Sequence, residues 1–256
     1  MSDAPVFARV VVGVDETEES LAAVQQAARL VDRGGELALV TAVHVGKAAG
    51  AGFGATRAAS QLEADAAAGL ERAHALAPAA RTVLVRGEPL AALTAAIEQE
   101  EATLVVVGSH GRRRGAGLVL GSVATSLLRD VPCAVLVARP PSEPDRFPSR
   151  LVAGVDGSPE GDAAAALARR LAERHGAKLR LVVACGGKNV DAAAVRASHP
   201  EADETPEAPV NALLAAADGA DLLVVGSRGL HGVEALGSVS ERVAHRAACS
   251  VLVVPR

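Results

Sequence analysis

The sequence predicts an α/β protein built from two similar, doubly wound domains, each with a parallel sheet. Short apolar segments alternate with longer amphipathic ones, which indicates parallel strands covered by helices on both faces. The chain also repeats itself: RVVVGVD at Arg9 is answered by RLVAGVD at Arg150, and TLVVVGSHG at Thr103 by DLLVVGSRG at Asp221. A glycine-rich segment follows the same strand in both copies.

The first repeat contains five strand-like and four helix-like segments. Its first helix is amphipathic, with Leu21 and Val24 on one face. Pro89 fits the first turn of the third helix, because proline lacks the N–H group that this position leaves unused. In chain order the predicted segments are strand 8–14, helix 18–33, strand 36–43, loop 46–54, helix 56–76, strand 82–85, helix 89–100, strand 103–107, helix 122–130 and strand 134–137.

A proline-rich segment separates the two copies. RPPSEPDRFP, from Arg139 to Pro148, has no apolar periodicity and therefore predicts a semi-rigid linker. The full length of 256 residues suits two domains of about 120 residues each. We expect a first domain at 1–140, a linker at 141–149 and a second, shortened domain at 150–256.

The second repeat is shorter in its middle. The spacing between equivalent residues falls from 142 (Leu37 to Leu179) to 118 (Ala102 to Ala220), a loss of 24 residues. The segment 191–209 is acidic and carries three prolines. We therefore expect the second domain to lack strand 3.

Composition restricts the class of function. A net charge of −4 argues against a general nucleic-acid binder, and a chain without Trp or Tyr has few platforms for stacking bases. No apolar run approaches the ~20 residues of a membrane helix, and no secretory signal is visible. Cys133, Cys185 and Cys249 have no metal or disulfide spacing, which suits a reducing compartment. We expect a cytoplasmic protein without nucleic-acid or membrane partners.

The segment from Leu104 to Val137 carries the main functional signal. It predicts strand, glycine-rich loop, helix and strand, with the spacing Gly108-x2-Gly111-x9-Gly121-Ser122. Glycine allows backbone N–H groups to approach a ligand closely, and such groups at a helix N-terminus favour an anion. We interpret Ser122 as opening the helix, where its hydroxyl can cap free N–H groups.

In spacing, length and order this segment resembles the nucleotide-binding signature of the universal stress proteins. The internal repeat extends the resemblance over nearly the whole chain outside the linker and segment 191–209. The resemblance implies a five-stranded parallel sheet of order 3-2-1-4-5. It also implies that ATP or a related adenine nucleotide binds, with Mg²⁺ as a companion ion, in a stress response.

In that strand order the chain reverses direction between strands 1 and 4, and open α/β sheets bind ligands at such a switch point. Asp15 and Gly108 close these strands, so both are expected at one crevice. Asp15 could also simply cap the following helix, and the two roles can coexist. Ala42 and Ala184 fall where the family contacts adenine through the main chain. The implied first site consists of Gly13, Val14, Asp15, Ala42, Gly108, Gly111, Gly121, Ser122 and Val123.

The second repeat implies a less complete site. Its loop has seven residues instead of nine between the second glycine and the Gly-Ser pair. This shortening changes the part of the loop that would surround phosphates. The implied second-site residues are Asp156, Ala184, Gly226, Gly229, Gly237, Ser238 and Val239.

No catalytic constellation is evident in the sequence. A P-loop and a Gly-x-Ser-x-Gly motif are both absent, and His110 has no evident partner acid. Residues 112–114, all arginine, can pair with phosphates or remain solvated. We expect a nucleotide-linked sensor whose loop 108–122 becomes ordered on binding, with at most weak, incidental ATP hydrolysis. Two alternatives stay open: a slow ATPase, and a dimerisation module that binds no nucleotide.

The last strand of each copy is expected to lie at an edge of its sheet. CAVLVAR at Cys133 and CSVLVVPR at Cys249 would leave backbone groups unpaired there, and such edges pair or are protected. In the family, domains commonly pair through this edge. We predict an intrachain pseudo-dimer through strand 5 and, in addition, a homodimer.

Overall fold

A computed structural model describes residues 5–44, 55–109, 120–186, 190, 192–227 and 239–255. Within these residues the first half of the chain forms five strands and four helices, and the second half repeats this arrangement. The first half comprises β1 (Arg9–Gly13), α1 (Glu18–Leu30), β2 (Glu36–Val43), α2 (Ala55–Leu76), β3 (Arg81–Arg86), α3 (Pro89–Gln99), β4 (Leu104–Gly108), α4 (Ser122–Asp130) and β5 (Ala134–Ala138).

A short 3-10 turn at Pro144–Arg146 lies between the halves. The second half comprises β6 (Arg150–Val155), α5 (Pro159–His175), β7 (Lys178–Ala184), α6 (Ala192–Ser198), β8 (Asp203–Thr205), α7 (Pro209–Ala216), β9 (Leu222–Gly226), α8 (Val239–Arg246) and β10 (Ser250–Val254). Most predicted boundaries of the first half lie within a few residues of these bounds. The predicted loop at 46–54 lies outside the described residues.

All ten strands form one sheet in the order β3-β2-β1-β4-β5-β10-β9-β6-β7-β8. Each half is parallel, and its strands follow the expected order 3-2-1-4-5. The halves meet where β5 and β10 run antiparallel, with Leu136 opposite Leu252. The two halves therefore share one continuous sheet.

The prediction that the second half lacks strand 3 is wrong. β8 occupies that place, and Asp203 and Thr205 pair in parallel with Val182 and Ala184 of β7. The strand is short and lies at the sheet edge, so its side chains face solvent and do not need the apolar alternation of a covered strand. Arg180 Nε donates to Asp203 Oδ2 at 2.6 Å, which accounts for an acidic residue at this edge.

Two apolar layers cover the faces of the sheet. One contains residues from α1, α2 and α5, such as Leu30, Leu70 and Leu171. The other contains residues from α3, α4, α7 and α8, such as Leu127 and Val243. Both layers include residues of both halves, so the core continues across the β5–β10 junction.

A buried polar cluster lies at the end of this junction. The Arg139 side chain donates to the carbonyl oxygens of Cys249 (3.1 Å) and Ala244 (2.6 Å). Gln26 Nε2 donates to the Arg139 carbonyl at 2.7 Å, and Ser250 Oγ donates to Gln26 Oε1 at 2.9 Å. Burial lowers the pKa of Arg139, and the carbonyls near the end of α8 offset part of that cost. The cluster links α1 of the first half to α8 and β10 of the second.

The close approach of α5 to the end of β9 requires glycine at position 226. A Cβ at this position would lie 3.0 Å from Glu160 Cβ and closer still to the Glu160 carbonyl group. We expect Gly226→Ala to lower the free energy of unfolding by about 1–3 kcal/mol, as overpacked cores do. Gly69→Ala is the control, because a Cβ there meets only Glu16 Cγ at 3.4 Å and Asp15 at longer range. Alanine in the helix interior should stabilise by about 0.5–1 kcal/mol. Urea unfolding of both variants measures the difference, and equal stabilities would contradict it.

Thiol reactivity tests the placement of the three cysteines. Burial raises the pKa of Cys133 and of Cys249 to about 11, whereas Cys185 is exposed. A raised pKa leaves less thiolate at pH 8, and the thiolate is the reacting form. We expect an aromatic disulfide reagent to label one thiol rapidly in the native protein and all three in denaturant. Rapid native labelling of three thiols would contradict the burial of Cys133 and Cys249.

Candidate functional site

The carboxyl ends of β1 and β4 lie side by side, as a switch point requires. Val12 is the register partner of Val106, and a Cβ on Gly13 would lie 3.1 Å from Val107 Cγ1. The backbone of Val14 leaves β1 with its N–H bonded to the Val40 carbonyl at 2.9 Å. Gly13, Val14 and Gly108 are therefore brought together at the carboxyl ends of these two central strands.

Asp15 forms a tight turn between β1 and α1. Its Oδ1 accepts hydrogen bonds from the Thr17 backbone N–H at 2.9 Å and from the Thr17 hydroxyl. Thr17 is the N-cap of α1, and its Oγ1 accepts from the Ser20 N–H at 3.2 Å. The alternative that Asp15 caps the helix is therefore wrong. Asp15 instead holds the residue that does.

Gly108 has a structural role that does not depend on a ligand. A Cβ there would lie 3.0 Å from the Glu19 carbonyl carbon and 3.1 Å from the Ser20 nitrogen. The first turn of α1 thus lies directly against the end of β4, and a side chain here would require α1 to shift by a few tenths of an ångström. The contact also places the N-terminus of α1 at the crevice.

The start of α4 returns to the end of β4. The Gly121 N–H donates to the Ser109 carbonyl at 2.9 Å, and the Ser109 N–H donates to the Ala138 carbonyl at 3.0 Å. Gly121 is the N-cap and makes no side-chain capping bond, and Ser122 is the first helical residue. The interpretation of Ser122 as a capping residue is therefore wrong, because glycine takes that position and has no side chain to cap with.

The remaining first-site residues lie around this edge. Ala42 is next to last in β2 and pairs with Val85 of β3. Val123, in the first turn of α4, is partly buried against the apolar layer beneath that helix. Gly111 lies outside the described residues, as do His110 and the arginines at 112–114. The structure therefore brings the described residues to one edge, with the start of α4 beside β4.

The second half repeats the aspartate turn of the first, at Asp156. Several residues of its implied site lie outside the described residues. Asp156 Oδ1 accepts from the Ser158 N–H at 3.1 Å and from the Ser158 hydroxyl, and Ser158 caps α5. Ala184 ends β7, Gly226 ends β9 and Val239 begins α8 with an exposed side chain. Gly229, Gly237 and Ser238 lie outside the described residues.

Sequence reasoning missed the capping pair Thr17 and Ser158. The signal was present in the repeat, because Asp15-x-Thr17 and Asp156-x-Ser158 both place a hydroxyl two residues after the strand-ending aspartate. Aspartate readily accepts from the backbone two residues on, and Thr or Ser is preferred at an N-cap.

One cavity of about 580 Å³ lies away from the crevice. It is lined by the segment around Pro140 and Glu143, by the end of α7, and by Arg150, Asp221 and Cys249 near the starts of β6, β9 and β10. Arg150, Asp221 and Cys249 lie at the amino ends of the strands, whereas the candidate site lies at their carboxyl ends. The cavity is therefore separate from the candidate site.

The described part of the chain contains no cluster of three or more His, Cys, Asp or Glu side chains suited to a metal ion. No helix in it has the length and apolar character needed to cross a membrane.

The sheet and its switch-point crevice define a tandem Rossmann-like α/β protein. A model of the Universal stress protein family matches residues 7–139 and 186–255. The chain therefore belongs to the universal stress protein family.

The chain is similar to several individual proteins. A universal stress protein of Mycobacterium tuberculosis is 34% identical over 182 residues, which cover 60% of this chain and 62% of that protein. The chain thus spans less than two thirds of this relative's length. The structure of a universal stress protein from Archaeoglobus fulgidus superposes with a TM-score of 0.76 over 97% of this chain and 96% of its own, at 21% identity. A universal stress protein in complex with cAMP is 28% identical over 52% of this chain and 98% of its own, with a TM-score of 0.37.

The Asp15–Thr17 turn can be tested directly. We expect Thr17→Val to lower the free energy of unfolding by about 1 kcal/mol, because the Ser20 N–H loses its acceptor. Thr17→Ser keeps the hydroxyl and should remain within a few tenths of a kcal/mol of the wild type. Chemical denaturation measures both variants. A loss for Thr17→Ser with none for Thr17→Val would contradict this expectation and would mean that the methyl group of Thr17, rather than its oxygen, is what matters.

Proposed function

We propose that this chain is a stress-response protein that binds ATP or a related adenine nucleotide, chiefly in its first half. The proposal is carried by the position of the start of α4, which the Gly121–Ser109 hydrogen bond holds against the end of β4 and whose N-cap is a glycine. Backbone N–H groups at a helix N-terminus suit the phosphates of a nucleotide. The location supports the same conclusion, since switch points between β1 and β4 are where open α/β sheets bind ligands.

The proposed binding residues are those of the implied first site. Gly13, Val14 and Asp15 would face the nucleoside from the end of β1, with Ala42 on the neighbouring strand. Gly108, Gly111, Gly121, Ser122 and Val123 would face the phosphates, and Mg²⁺ would accompany them. The second site, from Asp156 to Val239, is proposed as the weaker one, because its loop is two residues shorter.

We further propose that the protein acts as a nucleotide-linked sensor rather than as an enzyme. Its domains would be residues 1–140 and 150–256, joined by 141–149 and paired through β5 and β10 as a pseudo-dimer in the cytoplasm. Because β5 and β10 already pair with each other, a homodimer would need another surface. Nucleotide turnover faster than a few cycles per hour by the purified protein would contradict the sensor proposal.

The first test is the near-ultraviolet spectrum of the freshly purified protein. With no Trp and no Tyr, the chain absorbs little in this range. We expect a band at the adenine maximum from co-purified nucleotide, which acid release and mass spectrometry would identify. If neither a band nor binding in titrations with ATP, AMP and cyclic AMP were found, the nucleotide proposal would fail and the dimerisation module would be favoured.

Two matched variants locate the site. Asp15→Ala and Asp156→Ala remove the same turn from the two halves, so their effects on stability should be similar. We expect only Asp15→Ala to weaken ATP binding, by about tenfold, the range for a lost hydrogen bond to a charged group. Isothermal titration after nucleotide removal provides the measurement. A larger loss for Asp156→Ala would place the main site in the second half.

A further inference from the structure

A histidine of the second half contacts the start of α4 in the first half. The backbone N–H of Leu120 donates to His245 Nδ1 of α8 at 3.4 Å. Leu120 directly precedes Gly121, the N-cap of α4. The second half therefore supplies a hydrogen bond to the chain segment that begins the proposed phosphate-binding helix.

This hydrogen bond is partly buried, since the His245 side chain is 29% exposed while Leu120 lies in an apolar layer. Leu120 is 5% exposed and belongs to the same apolar layer as Val243, Ala244 and Ala247. An N–H group that loses its acceptor away from water is destabilised, so the His245 ring favours this position of the chain. The apolar contacts place Leu120, and the hydrogen bond fixes the direction of its backbone.

The donor identifies the tautomer of the ring. An amide N–H can only donate, so Nδ1 of His245 must carry a lone pair and the ring hydrogen must be on Nε2. Nε2 faces Glu241 Oε1 at 4.0 Å. Glu241 also pairs with Arg129 of α4, which ties the same two helices together a second time.

The contact is asymmetric between the two halves. Arg129 and His245 hold equivalent positions, because each follows the glycine of its own Gly-Ser-Val motif at the same distance in the sequence. A guanidinium group has donors only and cannot accept a backbone N–H. Arg129 therefore cannot do for the second half what His245 does for the first.

We propose that His245 is a positioning residue for the nucleotide site of the first half. It sets the direction of the backbone entering α4, and thereby the direction of the N–H groups that would meet the phosphates. The proposal rests on the proposed function. It gives the second half a role that does not require nucleotide in its own shortened loop. That role is to support the nucleotide site of the first half.

The test compares two substitutions of similar shape. In His245→Asn, Oδ1 lies as many bonds from Cβ as Nδ1 of histidine and can accept the Leu120 N–H. His245→Leu places a carbon there. Arg242→Ala is the control, since Arg242 is exposed on the same helix. For each variant, the Kd for ATP is measured by titration calorimetry, and amide exchange by mass spectrometry on peptides that contain Leu120.

We expect His245→Leu to raise the Kd about tenfold, within the usual range of coupling between sites, and to speed exchange at Leu120. His245→Asn and Arg242→Ala should stay within about twofold of the wild type. Unchanged exchange in β5 and β10 would show that the Leu variant is folded.

Three outcomes would overturn the proposal. If His245→Leu binds ATP as the wild type does, the positioning role fails alone, and the proposed function stands. If His245→Asn is as weak as His245→Leu, the ring contributes packing rather than an acceptor. If the wild type itself binds no nucleotide, the proposed function and the positioning role fail together.

Discussion

The antiparallel pairing of β5 with β10 is the constraint on which the rest of the structure depends. It places Leu136 opposite Leu252 and joins ten strands into one sheet. The apolar layers on both faces then continue from one half to the other. Had the pairing shifted by one residue, every core side chain of one strand would face the opposite layer. The register therefore determines which helices of the two halves meet.

Much of the fold could be predicted because its signal is local and repeated. Continuous apolar strands such as LVVVG at Leu104 identify a covered parallel sheet, and the repeat identifies each element twice. β8 was missed for the converse reason. At a solvent-facing edge, Asp203 and Glu204 are stabilised by Arg180 and Arg196, and this leaves no apolar periodicity to detect.

The candidate site was predictable in location but not in detail. Asp15 and Gly108 follow their strands, so topology alone brings them to one edge. Their local roles depend on contacts that spacing does not specify. Asp15 holds Thr17, and Gly108 makes room for the first turn of α1. The contact between Leu120 and His245 is harder still to predict from the sequence, because it depends on how the two halves of the chain align at β5 and β10.

The contacts of Arg139 make the first half of the chain dependent on the second. Its guanidinium is buried against carbonyls of the opposite half, and its own carbonyl accepts a bond from Gln26. If the halves were expressed as separate polypeptides, the first would expose a bare strand edge ending in a cation that has lost its acceptors. Such a fragment would tend to associate with another copy of itself or with the missing half. Keeping both halves on one chain therefore protects this strand edge from association with other molecules.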